Sequence, residues 1–328
     1  MADKVLVTGA TGLVGRHLVE ALAAKGFAVR ALVRHGSDLQ SLEGLACELV
    51  RGDVRDAPAM ERAVEGCVYV FHAAALVSAW EARREEVWAV NVQGSAHVAR
   101  ACAKAGVKRL IHVSSAAAVG YTDDPADTLH EDSPYNFEGR GFLYQDSKWE
   151  AEKAVLRALP EVEVVIGNPT LIFGAWDRHF NAARLLRMAR RGGLIVYPPG
   201  GVGVVWVRDV ADGLIKAAER GRPGRRYILN GENLSYRDLF RLIGRIVHRP
   251  AGIVPLSRSM LEAGALLTEP LARLLGHEPA LTTSRAMVLS VYQYASDHRA
   301  REELGYEPSI ARPALEDTAA WLSAHHLW

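Results

Sequence analysis

The chain has 328 residues, of which 49% are hydrophobic and 23% charged, and its formal net charge is +1. This is the composition of an ordinary soluble globular protein, long enough for one large domain or two closely associated lobes. The balanced charge gives no indication of nucleic-acid binding.

The cysteines and the apolar stretches favour a cytoplasmic protein without membrane insertion. The first apolar run starts at Lys4, which leaves no room for a signal peptide. The longest apolar stretch, 260–275, contains Glu269 and Pro270 and is too polar to span a bilayer. Three cysteines occur singly, without metal-ligand spacing, and are expected to be reduced core residues: Cys47, Cys67 and Cys102. No metal site is predicted.

The first motif occupies residues 5–15, VLVTGATGLVG, and joins a short apolar strand to an amphipathic helix through a glycine-rich turn. Glycine is needed because the turn is tight, the backbone approaches a pyrophosphate and the helix packs closely on the strand. Amides at the helix N-terminus then face the negative charge of the ligand. The motif predicts a dinucleotide site that uses Thr8, Gly9, Thr11, Gly12, Leu13, Val14 and Gly15.

Short apolar runs alternate with helical patterns along the first half of the chain. Strands are predicted at 28–33, 48–50, 69–72 and 107–113, and residues 84–105 are predicted to form one long helix. This alternation is typical of a parallel sheet with helices on both faces, the doubly wound α/β arrangement. The dinucleotide would cross the carboxyl edge of that sheet, where the fourth strand is followed by Ala73, Ala74 and Ala75.

Arg34 follows the second predicted strand, at the place where dinucleotide-binding proteins select their cofactor. An acidic residue there binds the ribose 2′-hydroxyl of NAD(H), whereas an arginine suits the 2′-phosphate of NADP(H). The alternative for Arg34 is a solvated charge at a strand end. The sequence therefore favours NADP(H) over NAD(H).

A catalytic group is predicted where the fifth strand ends in Ser114 and Ser115 and a later helix begins with Tyr144 and Lys148. Four residues apart on a helix, Tyr144 and Lys148 project from the same face. A phenol is a poor base at neutral pH, so a neighbouring ammonium is needed to favour the phenolate. We assign that charge to Lys148, which would also hydrogen-bond the nicotinamide ribose, and proton exchange to Tyr144. Ser115 would hold the substrate oxygen, with Ser114 as the alternative.

These motifs, together with residues 168–174 (NPTLIFG), 206–209 (WVRD) and 294–306, resemble those of the extended short-chain dehydrogenase/reductases, the NAD-dependent epimerase/dehydratase family. The glycine spacing is G-x-x-G-x-x-G, with Thr8 in front of it. The resemblance covers essentially the full length. It is nearest to dihydroflavonol 4-reductase-like and hopanoid-associated sugar epimerase-like members.

The resemblance implies a Rossmann fold with a smaller C-terminal substrate-binding lobe. The Rossmann domain would comprise residues 1–170 and about 206–230, and the lobe about 171–205 and 231–328. The two parts would therefore be interleaved along the chain. Asp209 is expected to be a helix N-cap.

Further residues receive roles from the same resemblance. Asp53, followed by Val54, would contact the adenine amino group, or else Asp53 is a helix N-cap. Asn91 would order the floor of the active site, with a local structural amide as the alternative. Pro169 would border the nicotinamide.

Two other expectations concern positions away from the reaction. His72, at the end of the fourth strand, is expected to be a positioned strand-end residue and not a catalyst. In many relatives the helices matching 84–105 and 144–158 form a two-fold four-helix contact, so we expect a homodimer.

The substrate is expected to be a small molecule bound by segments that leave the carboxyl ends of the strands, with Trp80, Ser115 and Trp176 among its contacts. Nucleotide-sugar enzymes of the family usually carry an arginine ahead of the segment matching 207–209, where this chain has small apolar residues. A leucine-rich stretch within 255–282 is similar to reductase-like members, and it forms either ordinary core or a wall for an apolar substrate.

The leading hypothesis is an NADP(H)-dependent oxidoreductase that interconverts a ketone and a secondary alcohol. The alternative is an NAD-dependent nucleotide-sugar epimerase or dehydratase, and a non-catalytic NADP-sensing protein is a third candidate. An arginine-rich helix would meet a phosphate of a sugar nucleotide or form a solvated face: Arg184, Arg187, Arg190 and Arg191.

Overall fold

Strands and helices alternate along the chain in a computed structural model that describes residues 2–193, 195–249, 252–275, 277–279 and 281–328. Residues 1, 194, 250, 251, 276 and 280 fall inside the domain ranges predicted above and lie outside the described residues. The strands are β1 (Lys4–Thr8), β2 (Ala28–Val33), β3 (Glu48–Arg51), β4 (Tyr69–His72), β5 (Arg109–Val113), β6 (Glu163–Pro169), β7 (Leu171–Phe173), β8 (Ile195–Tyr197), β9 (Gly201–Trp206), β10 (Arg226–Leu229), β11 (Glu232–Ser235), β12 (Ile253–Pro255) and β13 (Tyr292–Gln293). The helices are α1 (Leu13–Ala24), α2 (Ala57–Val64), α3 (Arg84–Trp88), α4 (Gly94–Ala105), α5 (Leu143–Leu156), α6 (Ala183–Arg191), α7 (Val207–Arg220), α8 (Tyr236–Ile246), α9 (Arg258–Leu275), α10 (Thr283–Val288), α11 (His298–Leu304) and α12 (Ala311–Ala324).

The central sheet has seven strands in the order β3, β2, β1, β4, β5, β6 and β10, and every neighbouring pair is parallel. From β1 the chain builds the sheet outward to β3 and then returns to the other side of β1 with β4. The carboxyl ends of β1 and β4 therefore mark the point where the strand order reverses, which is where doubly wound sheets bind their ligands. The predicted doubly wound parallel sheet is confirmed.

Helices cover both faces of this sheet. On one face, Leu22 of α1 and Leu214 of α7 belong to the same buried apolar cluster as Phe71 of β4. On the other face, α2 and α4 pack against each other, and Met60 lies at the centre of a second cluster. Tyr306, just beyond α11, joins the first cluster, so this segment returns to the central sheet before α12 begins.

The smaller lobe is built around β9, which pairs antiparallel with β11 and parallel with β7 and β13. α6, α8 and α12 surround it and share a buried apolar cluster that includes Leu186, Phe240 and Leu315. β8 and β12 form a separate two-stranded parallel ribbon, and α9 follows β12 after two residues. Within the described ranges, no helix is long and apolar enough to cross a membrane.

The helix predicted over 84–105 contains a π-helical turn, Ala89–Gln93, between α3 and α4. Its one fully buried residue is Asn91, whose side chain leaves the helix to hydrogen-bond the loop after β4. π turns of this kind are frequent at functional sites. A π turn adds one residue to a helix. The regular 3.6-residue periodicity of an α-helix does not predict where such a residue is added.

Two predicted boundaries are corrected by local hydrogen bonds. β5 begins at Arg109 and not at residue 107, because Gly106 ends α4 with a φ of 67° and the Val107 amide donates to the Cys102 carbonyl at 3.0 Å. Asp209 is not an N-cap. It is the third residue of α7, and its carboxylate accepts the Ser309 amide at 2.7 Å.

We predict that Gly15→Ala lowers stability. A Cβ at residue 15 would overlap the Gly9 carbonyl oxygen and lie 2.8 Å from the Cα of Ala10. Because both are backbone atoms, the turn would have to shift, at a cost of roughly 1–3 kcal/mol. The free energy of unfolding in urea measures this loss.

Gly264→Ala is the matched control, because Gly264 lies inside α9 and its added Cβ would make an ordinary 3.5 Å contact with Leu281. Alanine should stabilise that helix by up to about 1 kcal/mol. Equal stability of the two variants would show that the turn tolerates a side chain at residue 15.

Candidate active site

A cavity of about 650 Å³ runs along the carboxyl edge of the central sheet, from the end of β2 to the end of β5. The predicted residues that line it are Gly9, Thr11, Gly12, Leu13, Val14, Gly15, Arg34, Asp53, Val54, Ala73, Ala74, Ala75, Ser114, Ser115, Tyr144, Lys148 and Pro169. The fold thus brings the glycine turn and the catalytic candidates into one cavity.

The glycine turn has the geometry of a pyrophosphate cradle. Gly9 has a φ of 65°, and a Cβ there would lie 2.7 Å from the backbone of Ala73 and Ala74. Gly12 is the N-cap of α1, and the first turn of α1 has neither a side-chain cap nor an acidic residue. Its amides therefore meet neither a capping side chain nor an acidic residue of their own turn, which suits a bound diphosphate.

Thr8 and His72 lie behind the cavity wall and brace it. The Thr8 hydroxyl accepts the Ala74 amide at 3.2 Å and is hydrogen-bonded to His72 Nδ1 at 2.7 Å. His72 Nε2 lies 2.9 Å from the Ser95 hydroxyl. Burial, with the charge of Lys148, lowers the pKa of His72 to about 3. His72 is therefore a neutral structural residue at the strand end.

Arg34 lies at the exposed end of the cavity beside Ser37. The Arg51 guanidinium donates to the Arg34 carbonyl at 3.0 Å, which adds a second positive charge at this end. The Arg34 guanidinium, Arg51 and the Ser37 hydroxyl offer the donors that a phosphate monoester needs. Arg34 and Ser37 were expected at this end from the sequence, and Arg51 is added by the fold.

Asp53 lines the cavity next to Val54. Its carboxylate accepts the Arg55 amide at 2.9 Å and forms an ion pair with the Arg55 guanidinium at 2.7 Å. The hydrogen bond to Arg55 lowers the pKa of Asp53. The N-cap alternative for Asp53 is wrong, because Asp56 caps α2 by accepting the Ala59 amide.

The catalytic candidates meet at the end of β5. The Lys148 ammonium donates to the Val113 carbonyl at 2.8 Å, and burial lowers its pKa to about 8, opposed by the charge of Glu152. Burial raises the pKa of Tyr144, and a hydrogen bond with Ser115 partly offsets this. The Ser114 hydroxyl instead donates to Glu152. This geometry favours Ser115 over Ser114 as the partner of Tyr144.

Asn91 does not line the cavity but positions two of its walls. Its amide donates to the Leu76 carbonyl at 3.0 Å and to the Ser147 hydroxyl at 2.9 Å, and its oxygen accepts the Leu76 amide at 2.7 Å. Ser147 in turn donates to the Tyr144 carbonyl at 2.7 Å. Asn91 therefore ties the loop after β4 to the first turn of α5.

Sequence reasoning missed a buried polar network below the catalytic residues. Glu152 accepts the Asn168 amide at 2.7 Å, and its second oxygen pairs with Arg226 at 2.6 Å. The same Asn168 amide donates to the Ser115 carbonyl at 3.0 Å. Its spacing in the sequence could have identified Glu152. It follows Lys148 by four residues and therefore continues the face of α5 that carries Tyr144 and Lys148.

The two tryptophans predicted to contact substrate do not line the cavity that contains Ser115. Trp80 lines a second cavity of about 620 Å³, together with Phe142 and part of α9. Trp176 packs against Trp321, and the Arg16 guanidinium lies 5.0 Å from the ring centroid of Trp176.

Among the described residues, no three histidine, cysteine, aspartate or glutamate side chains gather as metal ligands.

Comparison with known proteins agrees with this geometry. The model of the NAD dependent epimerase/dehydratase family matches residues 5–229. The chain belongs to this family. Sterol demethylase protein B of Methylococcus capsulatus is 33% identical over 321 residues, which cover 96% of this chain and 97% of that protein.

Other relatives and structures match over nearly the full length. A Synechocystis protein named provisionally as a dihydroflavonol 4-reductase is 33% identical, covering 99% of this chain and 96% of that protein. The solved structure of gox2253 has a TM-score of 0.86 and 34% identity, covering 99% of both chains. As a member of the epimerase/dehydratase family, the protein is an NAD(P)-dependent oxidoreductase.

We predict that Glu152→Gln lowers the pKa of Lys148 below its value of about 8. Removing the negative charge leaves desolvation of the ammonium less opposed, so the neutral amine forms at lower pH. Titration of the lysine Cε signals by ¹³C NMR, with Lys148→Met to assign the resonance, measures the change.

Glu150→Gln is the control, because Glu150 lies on the same helix but pairs with Lys153. It should leave the Lys148 titration unchanged. The assignment of Glu152 would be overturned by an unchanged Lys148 pKa in a folded Glu152→Gln protein.

Proposed function

We propose that this protein is an NADP(H)-dependent oxidoreductase that interconverts a ketone and a secondary alcohol on a largely apolar small molecule. The observation that carries the proposal is the single cavity with Arg34 and Ser37 at one end and Ser115, Tyr144 and Lys148 at the other. The glycine turn between them suits the diphosphate of the dinucleotide.

The side chains at the end of β5 have complementary tasks. NADPH, when bound, supplies the hydride that becomes the new C–H bond of the alcohol. The Ser115 hydroxyl donates a hydrogen bond to the substrate oxygen, and the Tyr144 hydroxyl delivers the proton that completes the alcohol. The Lys148 ammonium stabilises the resulting phenolate electrostatically. In the oxidative direction the same phenolate accepts the proton.

The names of relatives support net reduction of a ketone. A Stigmatella aurantiaca relative, 32% identical, is named as the ketoreductase of a farnesylated 3-oxo-dihydroquinoline oxide. A Stenotrophomonas maltophilia relative, 31% identical, is named 2-alkyl-3-oxoalkanoate reductase. Both names describe a ketone on a molecule with an apolar substituent, farnesyl in the first and alkyl in the second, which is the substrate class that we propose here.

The second candidate is an NAD-dependent nucleotide-sugar epimerase. A Pseudomonas aeruginosa structure described as a nucleoside-diphosphate-sugar epimerase has a TM-score of 0.82 and 28% identity over the full length of both chains. Two observations weigh against this candidate. Residues 201–205 of β9 are small, apolar and buried, and the exposed Arg208 packs on the Trp206 ring. The arginines of α6 line neither of the two cavities.

The decisive experiment combines a cofactor titration with a substrate panel. Purified protein is titrated with NADPH and NADH, and cofactor consumption is followed with aromatic, alicyclic and long-chain ketones. Net NADPH consumption supports the proposal. Tightly held copurifying NAD with activity on a sugar nucleotide would support the epimerase, and NADPH binding without any turnover would indicate a non-catalytic protein.

Tyr144→Phe should lower kcat by roughly 10²- to 10⁴-fold, because the proton donor of the reaction is lost. Binding of NADPH, measured by calorimetry, should stay within a few-fold of the wild type. Tyr69→Phe is the control, since Tyr69 lies at the amino end of β4, away from the cavity. Wild-type turnover in Tyr144→Phe would exclude the assigned role.

Arg34→Ala should raise the KM for NADPH roughly 10- to 100-fold, because charge-assisted hydrogen bonds to the 2′-phosphate are lost. The KM for NADH should change little. Arg100→Ala, which removes an exposed arginine of α4, is the control. An unchanged preference between the two dinucleotides would disprove selection by Arg34.

We also propose a homodimer through the faces of α3 to α5. Trp88 and Trp149 on these helices are partly exposed, and the Tyr135 ring stacks on Trp149 with centroids 4.5 Å apart. Aromatic residues of this kind are enriched at protein interfaces. Light scattering in solution measures the molecular mass directly.

A further inference from the structure

The outer face of α9 carries a stripe of exposed aliphatic side chains. At 100° per residue, its members fall within about 100° of one another around the helix. They are between 56% and 83% exposed, and within the described ranges they lie outside every buried apolar cluster. We refer to these residues as the leucine stripe: Met260, Leu267, Leu271, Leu274 and Leu275.

The inner face of the same helix is the one that contacts the protein. Leu261 and Ala265 pack against Ala286 of α10. On the side of α9 away from the stripe, Arg258, Glu262 and Glu269 line the second cavity. The inner residues of the segment are core, as one sequence interpretation expected, whereas the leucine stripe is neither core nor a wall of a described cavity. A contiguous exposed apolar surface of this kind marks an interaction site.

The surface that leads to α9 is strongly basic. α6 and α8 pack against each other and together contain seven arginines and one aspartate, in a chain whose formal net charge is only +1. α8 also packs against the ribbon of β8 and β12, on which the register partners Val196 and Val254 are exposed. α9 follows that ribbon. The basic helices and the aliphatic stripe thus belong to the same lobe, joined along the chain by the ribbon of β8 and β12.

We propose that the leucine stripe docks on the surface of a bilayer that contains anionic lipids, with the arginines of α6 and α8 near the headgroups. An aliphatic helix face combined with basic residues is what an interfacial helix requires, and each arginine near an anionic surface strengthens the attraction. The helix would lie in the plane of the interface and would not cross the bilayer. Docking of this kind is compatible with the expectation of no membrane insertion.

The chemistry of the stripe favours lipid over a protein partner. Protein interfaces are enriched in aromatic residues and arginine at their centre and contain regular hydrogen bonds. The leucine stripe has neither an aromatic ring nor a hydrogen-bonding side chain. Lipid acyl chains require only aliphatic contact and need neither aromatic rings nor hydrogen bonds.

Docking at this face would serve the proposed function. The second cavity lies on the inner side of α9, and Phe142, which lines it, is two residues from Tyr144. An apolar ketone dissolved in the bilayer would then leave the membrane about one helix diameter from this second cavity. Delivery of a ketone from the bilayer rests on the proposed function, whereas docking on the bilayer does not depend on catalysis.

The experiment is flotation of the full-length protein with phosphatidylcholine vesicles, with and without phosphatidylglycerol. The wild type should float with the anionic vesicles. The triple variant Leu267→Glu, Leu271→Glu, Leu274→Glu should bind at least roughly tenfold more weakly, since each substitution places a carboxylate against the acyl chains. Because the three leucines are exposed, thermal melting and NADPH binding should be unchanged in the variant.

Ile310→Glu is the matched control, because Ile310 is 61% exposed but lies just before α12, outside the stripe. It should float as the wild type does. Replacing Arg237, Arg241 and Arg245 with glutamine should weaken binding to the anionic vesicles several-fold for each arginine and reduce its salt dependence.

Three outcomes would overturn the proposal: no flotation of the wild type, equal flotation with neutral and anionic vesicles, or an oligomer in light scattering that the triple variant dissociates without any vesicle binding. The last would identify a second copy of the chain as the partner of the stripe. Ketone reduction is measured separately on a short water-soluble substrate. Flotation without reduction would refute the proposed function alone, and reduction without flotation would refute the docking alone.

Discussion

The buried ammonium of Lys148 is the constraint on which the rest of the site depends. A charged group in a desolvated position is costly unless neighbouring dipoles and charges offset the loss of water. Here the offset comes from the Val113 carbonyl at the end of β5 and from the negative charge of Glu152, one turn further along α5. The end of a strand and the register of a helix must therefore both be correct for Lys148 to remain protonated.

Two polar networks hold α5 in that register from opposite sides. Asn91, in the π turn, reaches the first turn of α5 through Ser147. On the other side, Glu152 and Asn168 connect the second half of α5 to β6 and to the backbone of Ser115. Tyr144 and Lys148 lie between these attachments. Because buried polar groups are costly when left unpaired, each network discourages sliding or rotation of the helix.

The parts that were predicted from sequence are those with a local signal. The glycine turn, the order of strands and helices, and the Tyr144–Lys148 spacing follow from short-range backbone geometry and helical periodicity. The π turn, the Glu152 network and the true cap of α2 depend on partners that are distant in sequence. Trp80 and Trp176 illustrate the same limit, because which cavity they line depends on how distant segments pack. A loop residue near a strand end need not point into the cavity.

The contrast between α9 and the core helices shows why periodicity alone is an incomplete guide. A stripe of leucines at helical spacing states that one face is apolar, but not whether that face turns towards the protein or away from it. The side that packs on α10 is formed by Leu261 and Ala265, which lie on a different face from the stripe. The net charge is also an incomplete guide to the distribution of surface charge. A total of +1 does not reveal that arginines are concentrated on α6 and α8. Both surface properties emerge only when the fold places α6, α8 and α9 in one lobe.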